Sequence, residues 1–157
     1  MRDIATVLRD HPFFADLDDA TVQQLCGCAR NAHVNVGEQL FAEGEPADRF
    51  YVLREGRVSL QVHVPGGHDI VVDTADAGDV VGWAWLIPPY RWQFDARVIA
   101  PARVVEFDAD CLRSRCRTDP AIGYALLQRV AGVMYTQLCS ARLRLADLYE
   151  VPRGTRR

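Results

Sequence analysis

The order of apolar and polar positions divides the chain into a helical start, a long β-patterned middle and a helical end. Ile4, Val7 and Leu8 recur at helical spacing until His11-Pro12 interrupts them. A second helix is predicted with Asp18 as its N-cap and Val22, Leu25 and Cys26 on its inner stripe, so that residues 3–29 read as helical. From Ala32 the period becomes two. Strands are predicted at His33–Val36, Gln39–Phe41, Phe50–Leu53, Val58–Val64, Ile70–Thr74, Val80–Val81, Phe94–Ile99 and Arg103–Phe107. Gly37, Glu43-Gly44-Glu45-Pro46, Arg54-Glu55-Gly56, Pro65-Gly66-Gly67, Asp76-Ala77-Gly78 and Ala100-Pro101 supply the turns between them. The expected fold class is therefore α+β, mainly β: an eight-stranded jelly-roll-like β-barrel with N-terminal helices and a long C-terminal helix.

The last part of the pattern has a consequence for assembly. A short helix is predicted from Asp108, and a longer one from Pro120 to about Tyr149, with Asp119 as N-cap and the proline at the first helical position, where its missing N–H costs nothing. The long helix has two apolar stripes. Ile122, Leu126, Val130 and Val133 suit packing on the barrel. Leu127, Ala131, Met134, Leu138, Ala141, Leu145 and Leu148 are spaced 4-3-4-3-4-3, the seam of a coiled coil. One stripe serves the core, so the second needs another partner, and a homodimer through this helix is expected.

Composition narrows the classes. The 157 residues are 49% hydrophobic and 25% charged, ordinary for a globular domain. A net charge of -3 argues against nucleic-acid binding through bulk electrostatics. No segment approaches the length of apolar residues needed to span a bilayer, and Met1-Arg2-Asp3 does not open a signal peptide, so a cytoplasmic protein with no membrane partner is expected. Cys26, Cys28, Cys111, Cys116 and Cys139 contain no C-x-x-C and are an odd number, which predicts buried structural thiols rather than a disulfide framework or a zinc site. His11, His33, His63 and His68 form no His-x-His pair, and neither a nucleophile elbow nor a phosphate-binding G-x-x-x-x-G-K loop occurs. No catalytic residue, metal site or cofactor is expected.

Two stretches carry a resemblance. His11-Pro12-Phe13-Phe14-Ala15-Asp16-Leu17-Asp18 and the run from Phe41 to Val58, with Gly44 and Gly56 at its turns, resemble the cyclic-nucleotide-binding domain family, the sensor domain of catabolite-activator-type regulators. The likeness extends from residue 11 to about 149. It implies a binding-domain-like unit over residues 1–150, made of N-terminal helices (1–29), a β-barrel (30–107) and C-terminal helices (108–150), followed by a basic tail at 151–157 expected to be flexible. Many bacterial relatives carry a DNA-reading helix-turn-helix after the long helix. Here only residues 151–157 follow, so direct DNA binding is not expected.

The resemblance also places the family's ligand pocket within residues 78–98, where all three tryptophans lie. Gly78-Asp79 and Gly82 match the family. Where its nucleotide-binding members have a glutamate for the ribose 2′-hydroxyl, this sequence has Trp83, followed by Ala84. Where they have Arg-Ser-Ala or Arg-Thr-Ala, with the arginine on the cyclic phosphate, it has Phe94-Asp95-Ala96. Phe94 supplies no cation, and Asp95 adds a negative charge beside the phosphate position. Three readings stay open: aromatics that fill the barrel as core, a remodelled pocket for another small molecule, and a cyclic nucleotide held through Arg91 or Arg97. On a strand Arg97 would point away from the family's arginine position, which favours Arg91. The expected function is a non-catalytic regulatory module acting on an unidentified protein partner.

Overall fold

The computed structural model describes residues 2–150; the basic tail at 151–157 lies outside the described residues. Helix α1 (Ile4–Asp10), a 3-10 turn (Pro12–Phe14) and α2 (Asp19–Cys26) precede the strands β1 (Ala29–Val34), β2 (Gln39–Phe41), β3 (Arg49–Val62), β4 (Ile70–Asp76), β5 (Val80–Val81) and β6 (Asp95–Asp108). Helices α3 (Ala109–Thr118) and α4 (Pro120–Tyr149) close the chain. Two of the caps, Asp18 and Asp119, are the expected residues, and Asp108 caps the short helix α3. Asp18 accepts from Thr21 N–H at 2.7 Å, Asp108 from Cys111 N–H at 2.9 Å and Asp119 from Ala121 N–H at 3.1 Å.

The architecture is the expected one, jelly-roll-like strands between short N-terminal helices and a long C-terminal helix, but the strands are divided differently. Two pairs of expected strands are continuous in β3 and β6, which run antiparallel along each other. Arg54-Glu55-Gly56 and Ala100-Pro101 are not turns between strands. They face each other in one irregular stretch of the ladder, where the register shifts between Leu53 and Val58. Gly56 has φ +94, and a Cβ there would run into the Pro101 carbonyl, so the two backbones can approach only at a glycine. Bending at this stretch lets each long strand use its halves separately. β6 pairs with β2 through Ala96 and Arg97 and with β1 from Ala102 to Phe107, while β3 pairs with β5 through Tyr51 and Val52 and with β4 from Arg57 to Val62.

The N-terminal helices lock onto that bend through a buried histidine. His11 Nδ1 accepts from Phe13 N–H at 3.2 Å, which leaves Nε2 to donate to the Leu53 carbonyl at 3.1 Å. Burial pulls the His11 pKa below its usual value, so the ring is neutral at pH 7. Beside it an aromatic cluster joins the 3-10 turn to the sheet: Phe13 meets Phe50 at 5.6 Å, Phe14 meets Phe107 at 5.7 Å, and Phe50 stacks on Trp85 at 4.7 Å.

The cysteine expectation needs correction. Cys28 and Cys111, 83 residues apart, form a disulfide, while Cys26, Cys116 and Cys139 are free. The pairing follows from tertiary geometry. β1 lies on the last half of β6, and α3 starts directly after β6, which brings the two Cα atoms to 5.6 Å.

On α4 the first stripe behaves as expected, with Ile122, Leu126 and Val130 buried and Val133 packed at the core's edge. The second stripe is largely uncovered: Leu127 is 48%, Leu138 51% and Leu148 80% exposed. Among the described residues no helix is long and apolar enough to cross a membrane.

Candidate functional site

Residues 82–94 connect β5 to β6 as an irregular segment and, with Asp95 and Ala96 at the start of β6, hold most of the side chains singled out above. Its conformation starts at Gly82, with φ +79, whose missing side chain leaves room for the Trp92 ring. Trp92 is buried and stacks on Phe41 at 3.7 Å, the planes 7° apart. The backbone around it is tied to the turn before β3: Gly44 N–H donates to the Trp92 carbonyl, Trp92 N–H to the Glu45 carbonyl and Ala47 N–H to the Tyr90 carbonyl, at 2.7 to 3.0 Å. The Gly44-Glu45-Pro46 turn is thus the platform on which the segment rests.

The three tryptophans have three different environments. Trp85 is fully buried against Phe50, and its Nε1 has no hydrogen-bond partner among the described residues. Trp92 is a second core ring. Trp83 is only half-buried and reaches across to α4, where its Nε1–H donates to Gln137 Oε1 at 2.9 Å. Ala84 and Ala96 are buried. Phe94 is half-buried and, with Leu60, Val72, Asp73, Gln137 and Arg144, lines a cavity of about 160 Å³.

The charged candidates do not converge on that cavity. Asp95 turns to the platform, its carboxylate accepting from Glu43 N–H at 2.8 Å. Arg91 donates to the Gly44 carbonyl at 2.9 Å and Arg97 to the Gly37 carbonyl at 3.1 Å, and both residues are exposed. Two other arginines matter more. Arg113 of α3, with only 12% of its side chain exposed, donates to the Trp85 carbonyl at 2.6 Å and the Ala47 carbonyl at 3.2 Å, and lies 4.5 Å from the centre of the Tyr90 ring. It clamps segment and platform together. Arg144 of α4 donates to the Val72 carbonyl and lies 3.9 Å from Asp73. Nothing in the linear pattern marks Gln137, Arg113 or Arg144, because each acts on an element far away in sequence. The one available signal is that Gln137 and Arg144 are polar positions flanking the apolar seam of α4.

A wider groove of about 680 Å³ lies between the N-terminal turn, β4 and α4, bordered by Phe13, Asp16, Thr74, Arg129, Thr136 and Gln137. It shares Leu60, Asp73, Gln137 and Ser140 with the smaller cavity.

A profile of the family described as cyclic nucleotide-binding domain matches residues 32–119, more than half of the chain and the whole of the segment described above. The chain belongs to the cyclic nucleotide-binding domain family. It is similar to a CRP-like cAMP-activated global transcriptional regulator of Mycobacterium tuberculosis, 32% identical over 112 residues, which cover 71% of this chain and 48% of the regulator. An uncharacterized NTE family protein of the same species is 28% identical over 132 residues, 84% of this chain and 22% of that protein. The chain thus spans about half the length of the first relative and about a fifth of the second. Among solved structures, a putative cyclic nucleotide-binding protein from Geobacter metallireducens superposes with a TM-score of 0.78 at 28% identity, covering 88% of this chain and 99% of that one. The family match ends at Asp119, so in this cyclic nucleotide-binding domain α4, which supplies Gln137 and Arg144, lies beyond the matched residues.

Proposed function

We propose that this cyclic nucleotide-binding domain is a non-catalytic regulatory module that does not take a cyclic nucleotide in the family's usual way and that acts through protein contacts made by α4. The observation that carries this reading is the bond from Trp83 to Gln137. Trp83 stands where the resemblance puts a ribose-binding glutamate, and instead of an open acceptor it presents an indole already tied to the long helix. The segment and α4 are joined by the protein's own side chains, a contact that a bound ligand could otherwise supply. The phosphate fares no better. Phe94 replaces the guanidinium, Asp95 is engaged by Glu43 N–H, and Arg91 and Arg97 are engaged by backbone carbonyls on the surface. A desolvated monoanion needs a cation or several free donors, and these positions offer neither.

The output surface is the second stripe of α4. Leu127, Leu138, Leu145 and Leu148 stand exposed with Ala131 and Ala141 between them, and an exposed apolar stripe of this length favours a partner. A second copy, related by a two-fold axis along the seam, covers it with the same residues, allowing close approach at the alanines. Light scattering behind a sizing column is expected to give about twice the chain mass of 17.6 kDa. Leu138→Glu combined with Leu145→Glu is expected to halve the measured mass while leaving the far-ultraviolet spectrum of the strands unchanged. A wild-type monomer at tens of micromolar (about the range where weak dimers form) would contradict the homodimer and assign the seam to a different protein partner.

A second reading is favoured by the groove of about 680 Å³, a size suited to a small-molecule ligand. In that reading the module is a sensor that binds a cyclic nucleotide or another compound in the remodelled space, and the Trp83–Gln137 contact reports occupancy to α4.

A further inference from the structure

We propose that Cys28 and Cys111 form a thiol–disulfide exchange site, open to a low-molecular-weight thiol such as glutathione, that controls the attachment of α3 to the β-roll. Access comes first. Both cysteines line a surface cavity of about 530 Å³, together with Arg30, Asp48, Arg49 and Glu106, and Cys111 is the more exposed of the pair. Cys111 is the third residue of α3, its backbone N–H held by the Asp108 carboxylate, so its greater exposure is what directs attack to its sulfur.

The surroundings allow the bond to open without unfolding the chain. The Cys28 segment is also held to the end of β6 by Asp108 N–H to the Cys28 carbonyl at 2.9 Å and by the β1–β6 ladder, and the start of α3 is held to the turn before β3 by Ala109 N–H to the Asp48 carbonyl at 3.0 Å. On the outer face Glu106 is paired with Arg30 at 2.8 Å and with Arg49. Of the free thiols, Cys26 and Cys116 compete poorly, since burial pushes both up and lowers their thiolate fraction. What the bond adds is the anchoring of the first turn of α3. α3 in turn carries α4, because Gly123 packs directly on Cys116.

A glutathione thiolate attacks Sγ of Cys111, the S–S bond breaks, and Cys28 leaves as a thiolate that takes a proton. A second glutathione thiolate attacks the glutathione sulfur of the mixed disulfide, releasing Cys111 as a thiolate at the helix N-terminus and forming glutathione disulfide. Two electrons pass from two glutathiones to the protein bond, and the reverse sequence restores it.

The test uses the full chain in native buffer, with reduced glutathione as the probe, acid quenching, alkylation and peptide mass mapping. The expected result is that Cys28 and Cys111 each gain an alkyl group while circular dichroism stays native. A trapped glutathione adduct is expected on Cys111, and oxidised glutathione is expected to restore the bond. Amide exchange in residues 109–113 is expected to speed up on reduction, with β3 and β6 unchanged. The same exchange pattern without reductant is expected from Cys28→Ser with Cys111→Ser. A bond that yields only when denaturant is added, an adduct confined to Cys28, or unchanged exchange in α3 after reduction would each overturn the proposal. None of these readouts depends on whether α4 pairs with a second copy.

Discussion

Replacing Trp85 with alanine is expected to destabilise the fold by about 3–5 kcal/mol, the cost of deleting a large core aromatic whose space cannot collapse. Trp85 is fully buried and sits at the junction of the 82–94 segment with Phe50, which itself contacts Phe13 and Phe107. Its removal therefore opens a cavity where the segment, the 3-10 turn and the two long strands meet. Trp85→Phe is expected to cost less, because it keeps the ring stack and removes an N–H that has no partner. Trp83→Ala makes the contrast. Its ring is half-buried and its bond is to a side chain of α4, so a loss of roughly 1–2 kcal/mol is expected, within the usual range for single changes. Urea midpoints at unchanged slope measure all three. A smaller loss for Trp85→Ala than for Trp83→Ala would reverse the assignment of core and contact residues.

The second large effect is expected at Arg113, which no local sequence signal marks. It is mostly buried, its charge is compensated by Asp110 at 2.7 Å, and its guanidinium donates to two carbonyls and lies over Tyr90. Hydrogen bonds from a charged donor contribute about 1.5–3 kcal/mol each, and the ring contact about another 0.5–1 kcal/mol. Since these contributions are not additive, Arg113→Ala is expected to cost roughly 2–4 kcal/mol and to speed amide exchange in residues 84–92. Arg113→Lys is expected to recover less than half of that: Nη1 serves both carbonyls, and an ammonium in its place has no second nitrogen for Asp110 and no planar face to lie over Tyr90. A loss within about 0.5 kcal/mol of zero for the alanine variant would mean that the segment keeps its conformation without the clamp.

The helices were legible, as were the caps Asp18 and Asp119, because the signal is local: each carboxylate bonds to an amide two or three residues ahead, as Asp108 also does at α3. The strand segments were legible in kind but not in continuity. Gly56 and Pro101 are turn formers by local chemistry, yet here they permit a close crossing of two long strands, and only the ladder decides between the two uses. The Cys28–Cys111 bond was not legible at all, since it depends on β1 choosing the last half of β6. In the candidate site, the sequence marked the right segment and could not sort its residues. An irregular connection has no period, so nothing local says that Trp85 and Trp92 point into the core while Trp83 points at α4. Gln137 and Arg144 escape the same way: the apolar seam dominates the pattern of α4, and the polar positions between seam and core are where Gln137 touches the segment and Arg144 touches β4.

Calorimetric titration of the native protein with cyclic AMP and with cyclic GMP tests the central claim most directly. On the proposed reading, Trp83, Phe94 and Asp95 stand where the resemblance puts the ribose and phosphate contacts, and the nearby guanidinium groups of Arg91 and Arg97 are engaged by backbone carbonyls. No binding tighter than about 1 mM, on the order of 4 kcal/mol, is therefore expected for either nucleotide. A micromolar dissociation constant for one of them, reproduced with Trp83 fluorescence changing on binding, would contradict the account and make the groove beside α4 a working nucleotide site.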